Sequence, residues 1–254
     1  MKNYKTRNLT FLLVVAGFLA ALGAHNHSTL AQTATKESSL LALDPKYAKI
    51  STAIATKLKG ATPLQTSNDL DELYKQAEVA DKELRNFITE IAKQTHGQPA
   101  FGRLKGRARS EEKIKADYGG NASRLLDIAR GTIKFDTVDD LYKALAKIDS
   151  SPDVKIVRIK DRFSKPAEGG YRDLLLNLKL PSGFITELQL NLSQIIAIKK
   201  QGHQIYKVMR ELDEKVAIEK RDFTPAEVEQ KKRLVKESEA LYDQAFQSAS
   251  KKKE

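Results

Sequence analysis

Residues 169–192 read GGYRDLLLNLKLPSGFITELQLNL, and their alternation collects acids and amides on one side. That side carries Asp173, Asn177, Glu187, Gln189 and Asn191, with Lys179 as its one positive residue. Leu174, Leu176, Leu178 and Leu180, with Phe184, Thr186, Leu188 and Leu190, fall on the other side. Two alternating runs around Pro181-Ser182-Gly183 predict a β-hairpin. A turn of this length pairs Leu180 with Phe184, which sets Asn177 opposite Glu187 and Asp173 opposite Asn191. Oxygen ligands clustered in this way can hold Mg²⁺, which completes its shell with water and substrate phosphates. An isolated carboxylate there can also serve as a general base. The same pattern suits a half-exposed sheet face whose polar groups are simply solvated.

A second cluster precedes it in the chain. In GRLKGRARSEEK, Arg103, Lys105, Arg107 and Arg109 lead to a helix start near Ser110, with Lys113 one turn in. Guanidinium forks, an ammonium and the positive end of a helix make an arrangement suited to polyphosphate. A basic solvated loop, or a non-specific nucleic-acid patch, has the same composition. The phosphate-loop spacing GxxxxGK[ST] is missing. Asp127, in LLDIARGTIKF, enters a buried strand just ahead of Arg130; such an acid can be a metal ligand held by an ion pair, or a structural cap. In EGGYRD the glycines permit close approach of backbone to ligand, and Tyr171 can stack on a planar base or fill the core.

The elements that must position these residues follow from periodicity. A helix is predicted through KYAKISTAIATKLKG. Leu70, Leu73, Ala77, Ala80, Leu84, Phe87 and Ile91 predict another, capped by Ser67 or Asn68 and ended by Gly97. A strand is expected around Arg130–Phe135, then a helix from Asp136-Thr137 with Asp140 completing a capping box. VKIVRIKDR alternates as a strand, Ser193–Lys215 reads as a helix, and Thr224, Pro225 and Glu227 open a last one. The order predicts one α/β (α+β) domain, a mixed sheet of four or five strands flanked by helices. Residues 32–98 form an N-terminal helical region, 99–216 the sheet domain, and 217–254 a C-terminal helix and tail.

The 254 residues carry a formal charge of +11. Residues 1–31, with Lys2, Lys5 and Arg7 before LTFLLVVAGFLAALGA, read as a cleaved secretory signal peptide. Export to the periplasm or medium is expected, with no stable membrane association afterwards. The remainder keeps 41 basic and 33 acidic residues, an excess that suits an anionic partner. There is no cysteine, which excludes a disulfide framework, a thiolate zinc site and a cysteine nucleophile. Only His96 and His203 lie beyond residue 31, too few for a histidine-rich metal centre.

Taken together, residues 100–215 resemble the RelA/SpoT synthetase family, pyrophosphokinases with a nucleotidyltransferase-like fold. GRLKGRARSEEK is similar to the segment that binds ATP phosphates, which implies that role for Arg103, Lys105, Ser110 and Lys113, with one extra residue before the serine. Asp127 matches the metal-binding aspartate. KDRFSKPAEGGY looks like the acceptor loop, carrying over Lys160, Asp161, Pro166, Gly170 and Tyr171, with Tyr171 against the acceptor base. ELQL matches the Glu-x-Gln motif, implying Glu187 as Mg²⁺ ligand and catalytic carboxylate beside Gln189. GHQIYK matches a helix packing near the site, with His203 structural. The chain departs from the pattern at Ala167, Lys165, Arg130, Asp173, Leu175 and Asn191, mostly around the acceptor, where Asp173 joins the expected acceptor-binding set. The resemblance implies transfer of pyrophosphate from ATP to the 3′-hydroxyl of a guanosine nucleotide, GDP or GTP. An exported toxin acting on adenosine nucleotides or tRNA 3′ ends is the second reading. A non-catalytic basic nucleotide- or RNA-binding protein is the third.

Overall fold

Two periodicities decide the layers: period two in four segments that become strands, and three-four spacing in the segments that cover them. The computed structural model describes residues 41–250; the expected signal peptide lies outside them. Its elements are α1 (Pro45–Lys57), α2 (Leu70–Gln94), β1 (Gln98–Phe101), α3 (Arg107–Tyr118), β2 (Arg130–Phe135), α4 (Val138–Asp149), β3 (Lys155–Asp161), β4 (Leu174–Lys179), β5 (Ile185–Leu192), α5 (Ser193–Glu219) and α6 (Pro225–Ser250). The five strands form one mixed sheet, the class the sequence predicts, in the order β1-β2-β5-β4-β3. Only β2 and β5 are parallel.

One sheet face is packed by helices. The α2 stripe Leu73, Ala77, Ala80, Leu84, Ile88 and Ile91 is buried against β1, β2 and β5. Removing each large aliphatic side chain from water contributes about 1.5–3 kcal/mol. Helix α4 packs beside it through Leu141, Tyr142, Leu145 and Ile148. Gly131 admits α2 closely: a Cβ there would lie 2.3 Å from Ile88 Cδ1. Outside α4 sits α1, where Tyr47 stacks on Tyr142 with ring centres 4.9 Å apart. Among the described residues, no helix is long and apolar enough to cross a membrane.

Several boundaries differ from the sequence reading. The α2 N-cap is Asp69, whose carboxylate accepts from the Asp71 and Glu72 amides, rather than Ser67 or Asn68. Helix α3 begins at Arg107, earlier than Ser110, so Arg107 and Arg109 lie in its first turn. The four-residue β1 was not foreseen, because a short, mostly exposed edge strand carries no alternation to read. The capping boxes at Thr137/Asp140 and Thr224/Glu227 are formed as predicted.

Candidate active site

The second sheet face is the one that gathered acids and amides in the sequence. Its hairpin register is as predicted, with Asn177 paired to Glu187 and the Leu180 amide bonded to the Phe184 carbonyl at 3.0 Å. Strand pairing extends these residues into rows, because registered partners point to the same side. Arg130, Glu187, Asn177 and Arg158 form one row, and Thr132, Gln189, Leu175 and Lys160 the next. Acids and amides thus occupy the centre, and cations line both flanks.

The β3 flank depends on a β-bulge. Ile156 pairs with Leu178 while Arg158 pairs with the adjacent Asn177, so the register slips between them. A slip of one residue reverses which side a strand's residues face. Ile156 therefore faces the core, as Leu178 does, while Arg158 and Lys160 face the Glu187 side. Strict alternation would have put Ile156 and Arg158 together, which is why the sequence did not single out Arg158. Arg158 Nε donates to Asn177 Oδ1 at 2.7 Å. Asn177 is fully buried and donates to the carbonyls of Leu126 and Thr186 at 3.3 and 3.1 Å. It braces the sheet and holds Arg158 rather than standing open to a ligand.

Asp127, in the segment leading into β2, is 8% exposed. Its Oδ2 accepts from Lys105 Nζ at 2.8 Å and Lys113 Nζ at 2.9 Å. Arg130, the partner foreseen from sequence, is exposed and lies in the row of Glu187 instead. Burial alone would raise the Asp127 pKa, but the two ammoniums outweigh it and hold it below the usual aspartate value. Burial likewise opposes the charge on Lys113, which Asp127 and Tyr118 overcome, raising its pKa. Asp127 Oδ1 is buried with no hydrogen-bond partner.

Glu187 is half-buried, and its Oε1 accepts from Gln189 Nε2 at 2.9 Å. Burial, then the nearby Asp127 carboxylate, raise its pKa against the pull of Gln189 and Lys113. Lys160 is shifted down, first by burial and then by Arg158 and Arg162, with Glu187 acting in the other direction and Lys113 adding to the repulsion. The Glu187 carboxylate therefore feels the charges of Asp127 and Lys113, and Lys160 those of Glu187 and Lys113.

The remaining expected site residues are distributed unevenly. Arg103 is exposed between β1 and α3. Ser110 is fully buried, its hydroxyl 2.8 Å from that of Tyr74, which also donates to the Lys105 carbonyl at 2.5 Å. It helps fix the Lys105 segment and offers no open hydroxyl. Asp173 is 1% exposed, paired with Arg162 and accepting from the Tyr171 hydroxyl at 3.1 Å. The Tyr171 hydroxyl also accepts from Asn191 Nδ2 at 3.3 Å, and Lys199 Nζ lies 5.5 Å from its ring centre. Asp161 is turned away from the site, its carboxylate accepting hydrogen bonds from the Ser51 and Tyr142 hydroxyls and from the amides of Phe163 and Ser164. His203 is exposed, and Gly202 packs on Tyr242.

No family model matches the chain. In sequence it is 26% identical over 132 residues to the (p)ppApp synthetase toxin Tas1 of Pseudomonas aeruginosa (strain UCBPP-PA14), a match covering 51% of this chain. The chain spans 28% of that relative's length. Among solved structures, the Type VI effector Tas1, in complex with its immunity protein, superposes with a TM-score of 0.52 at 23% identity, over 72% of this chain and 99% of that one. A GTP pyrophosphokinase family protein from Streptococcus pneumoniae gives 0.52 at 19% identity, over 72% and 91%. This is the alarmone-synthetase fold. Small alarmone synthetase 2 from Bacillus subtilis has it too, with a TM-score of 0.51 at 19% identity over 70% of this chain and 92% of that one. Within the synthetase fold, the row of Arg130, Glu187, Asn177 and Arg158 lies on the sheet face opposite α2 and α4.

Proposed function

We propose that the protein is a nucleotide pyrophosphokinase, moving the β,γ-pyrophosphate of ATP to the 3′-hydroxyl of a nucleotide acceptor. The observation that carries this reading is the meeting of Glu187, a carboxylate with a raised pKa, with the Lys105–Asp127–Lys113 cluster between two cationic flanks. Such a transfer rests on positioning and charge neutralisation, with little covalent work for the protein. Lys113, Lys105 and the exposed Arg103 supply charge for the ATP polyphosphate. Lys160 and Arg158 supply it for the acceptor side.

The donor set fits Mg²⁺. Two carboxylates disfavour each other's charge, and one presents a buried oxygen without a partner. Among the described residues no group of three or more acids and histidines converges, so two carboxylates would hold the ion, with phosphate and water completing its shell. When bound, it would neutralise charge building on the transferred phosphoryl oxygens. Glu187 orients the acceptor 3′-hydroxyl and takes its proton as the O3′–Pβ bond forms and the bond from Pβ to the α,β-bridging oxygen breaks, releasing AMP. A glutamate with a raised pKa suits that exchange. Gln189 holds the Glu187 carboxylate in place.

The preferred acceptor is a guanosine nucleotide, GDP or GTP. A second reading, an exported effector acting on adenosine nucleotides, is favoured by the sequence match to a (p)ppApp synthetase toxin. One experiment covers both. Purified protein, Mg²⁺ and γ-labelled ATP are incubated with GDP, GTP, AMP, ATP or bulk tRNA, alongside Asp127→Asn and Glu187→Gln. Label transfer to one acceptor, with AMP release and loss in both variants, supports the proposal and names the substrate. Transfer to none, or equal transfer by the variants, overturns it in favour of a non-catalytic basic nucleotide- or RNA-binding protein.

A further inference from the structure

The loop from Arg162 to Asp173 carries Tyr171, and its conformation is fixed from outside the sheet. Arg172, between Tyr171 and Asp173, is 1% exposed. Its Nη1 donates to the Phe163 carbonyl at 3.0 Å, while Nη2 donates to the Leu41 carbonyl at 2.7 Å and to Asp243 Oδ1 at 3.0 Å. The guanidinium lies 4.5 Å from the Phe246 ring centre. Asp243 also accepts from the Leu41 amide at 3.3 Å, so the first described residue and α6 meet at one carboxylate.

The same helix touches the loop elsewhere. Ser238 donates to the Gly169 carbonyl at 2.7 Å, and the Tyr242 and Tyr171 rings meet edge-on with centres 5.4 Å apart. Gly169 has φ 75°, a backbone that favours glycine, and a Cβ there would stand 2.9 Å from the Ser238 hydroxyl. Lys231 bridges Glu168 to Asp213 of α5. A buried guanidinium is costly unless paired and hydrogen-bonded. Here that cost falls on one loop, the loop that presents Tyr171.

We propose that the Arg172–Asp243 pair positions the acceptor side of the site: α6 and Leu41 set the conformation of the 162–173 loop, and through Tyr171 they set acceptor affinity without touching ATP. The inference rests on the proposed transfer. Arg172 and Asp243 are positioning residues, since neither faces the reacting groups.

Arg172 variants remove a core side chain, so the test uses Asp243, whose side chain is 16% exposed. For wild type, Asp243→Ala and Asp243→Glu, the KM for acceptor, the KM for ATP and kcat are measured, with amide exchange over residues 162–173. Asp243→Ala is expected to raise the acceptor KM about tenfold and to speed exchange in the loop, with the ATP KM within about twofold of wild type. Asp243→Glu is expected to restore most of the acceptor KM. A variant whose two KM values rise together, a lower acceptor KM, or unchanged loop exchange overturns the positioning role and leaves the transfer proposal standing. A wild-type protein that uses no acceptor overturns both, and that result is in hand before any variant is made.

Discussion

Replacing Asp127 by Asn tests the charge arrangement at the site directly. The substitution keeps shape and removes the counter-charge of two ammoniums, whose side chains are 8% exposed at Lys105 and 29% exposed at Lys113. Breaking a buried ion pair from one side costs about 3–5 kcal/mol, because the remaining charge is stranded. Lys113 can turn towards water, so the lower end applies and a loss of about 3 kcal/mol is expected. For a chain of this size that lowers Tm by about 6–12 °C. Replacing both partners, Lys105→Met with Asp127→Leu, removes the stranded charge as well and is expected to return to within about 1 kcal/mol of wild type. Asp127 has a depressed pKa, so its stabilisation is present above the ordinary aspartate value and fades as pH falls through the lower folded value. The gap between wild type and Asp127→Asn should therefore close on acidification. Thermal unfolding by circular dichroism, without nucleotide and at several pH values, measures all of this. An Asp127→Asn Tm within about 1 °C of wild type at neutral pH would refute the reasoning.

Three further outcomes are expected. Glu187→Gln abolishes transfer yet unfolds at an equal or higher temperature at neutral pH, because a raised pKa means that the folded state disfavours the ionised carboxylate; in wild type the rate climbs with pH, with a midpoint above the usual glutamate value. Gly202→Ala, whose Cβ would meet Tyr242 at 2.1 Å (Oη) and 2.5 Å (Cζ), costs about 1–3 kcal/mol by forcing α5 and α6 apart, read as a lower denaturation midpoint. Asn177→Leu strands the Leu126 carbonyl and frees Arg158, for a loss of about 1–3 kcal/mol in urea unfolding.

The hairpin was legible because one of its faces is apolar but for Thr186, which leaves a single register open to it. The α2 stripe and the two capping boxes were legible for a similar reason: neighbours in sequence are neighbours in space. The acids and amides of β4 and β5 could be placed on one face but not sorted by exposure. Asn177 is met by Arg158 from the neighbouring strand β3, and Asp173 by Arg162 from the far end of its own loop. Ser110 read as the mouth of a phosphate site, yet Tyr74, thirty-six residues earlier, covers it. The anchoring of the 162–173 loop by Leu41 and α6 joins residues as far as 202 positions apart, and no periodicity records such a meeting.

The β3 bulge has an evolutionary consequence. Pairing with Asn177 and Leu175 ties Arg158 and Lys160 to their side of the sheet, and the one unpaired residue, Val157, absorbs the change of parity from Ile156. Losing Val157 would heal the bulge rather than turn the strand, because Ile156 and Arg158 would become neighbours on opposite sides and both cations would still face Glu187. The cationic flank of this face is therefore indifferent to the loss of that one residue, while the identity of each cation along it remains free to drift.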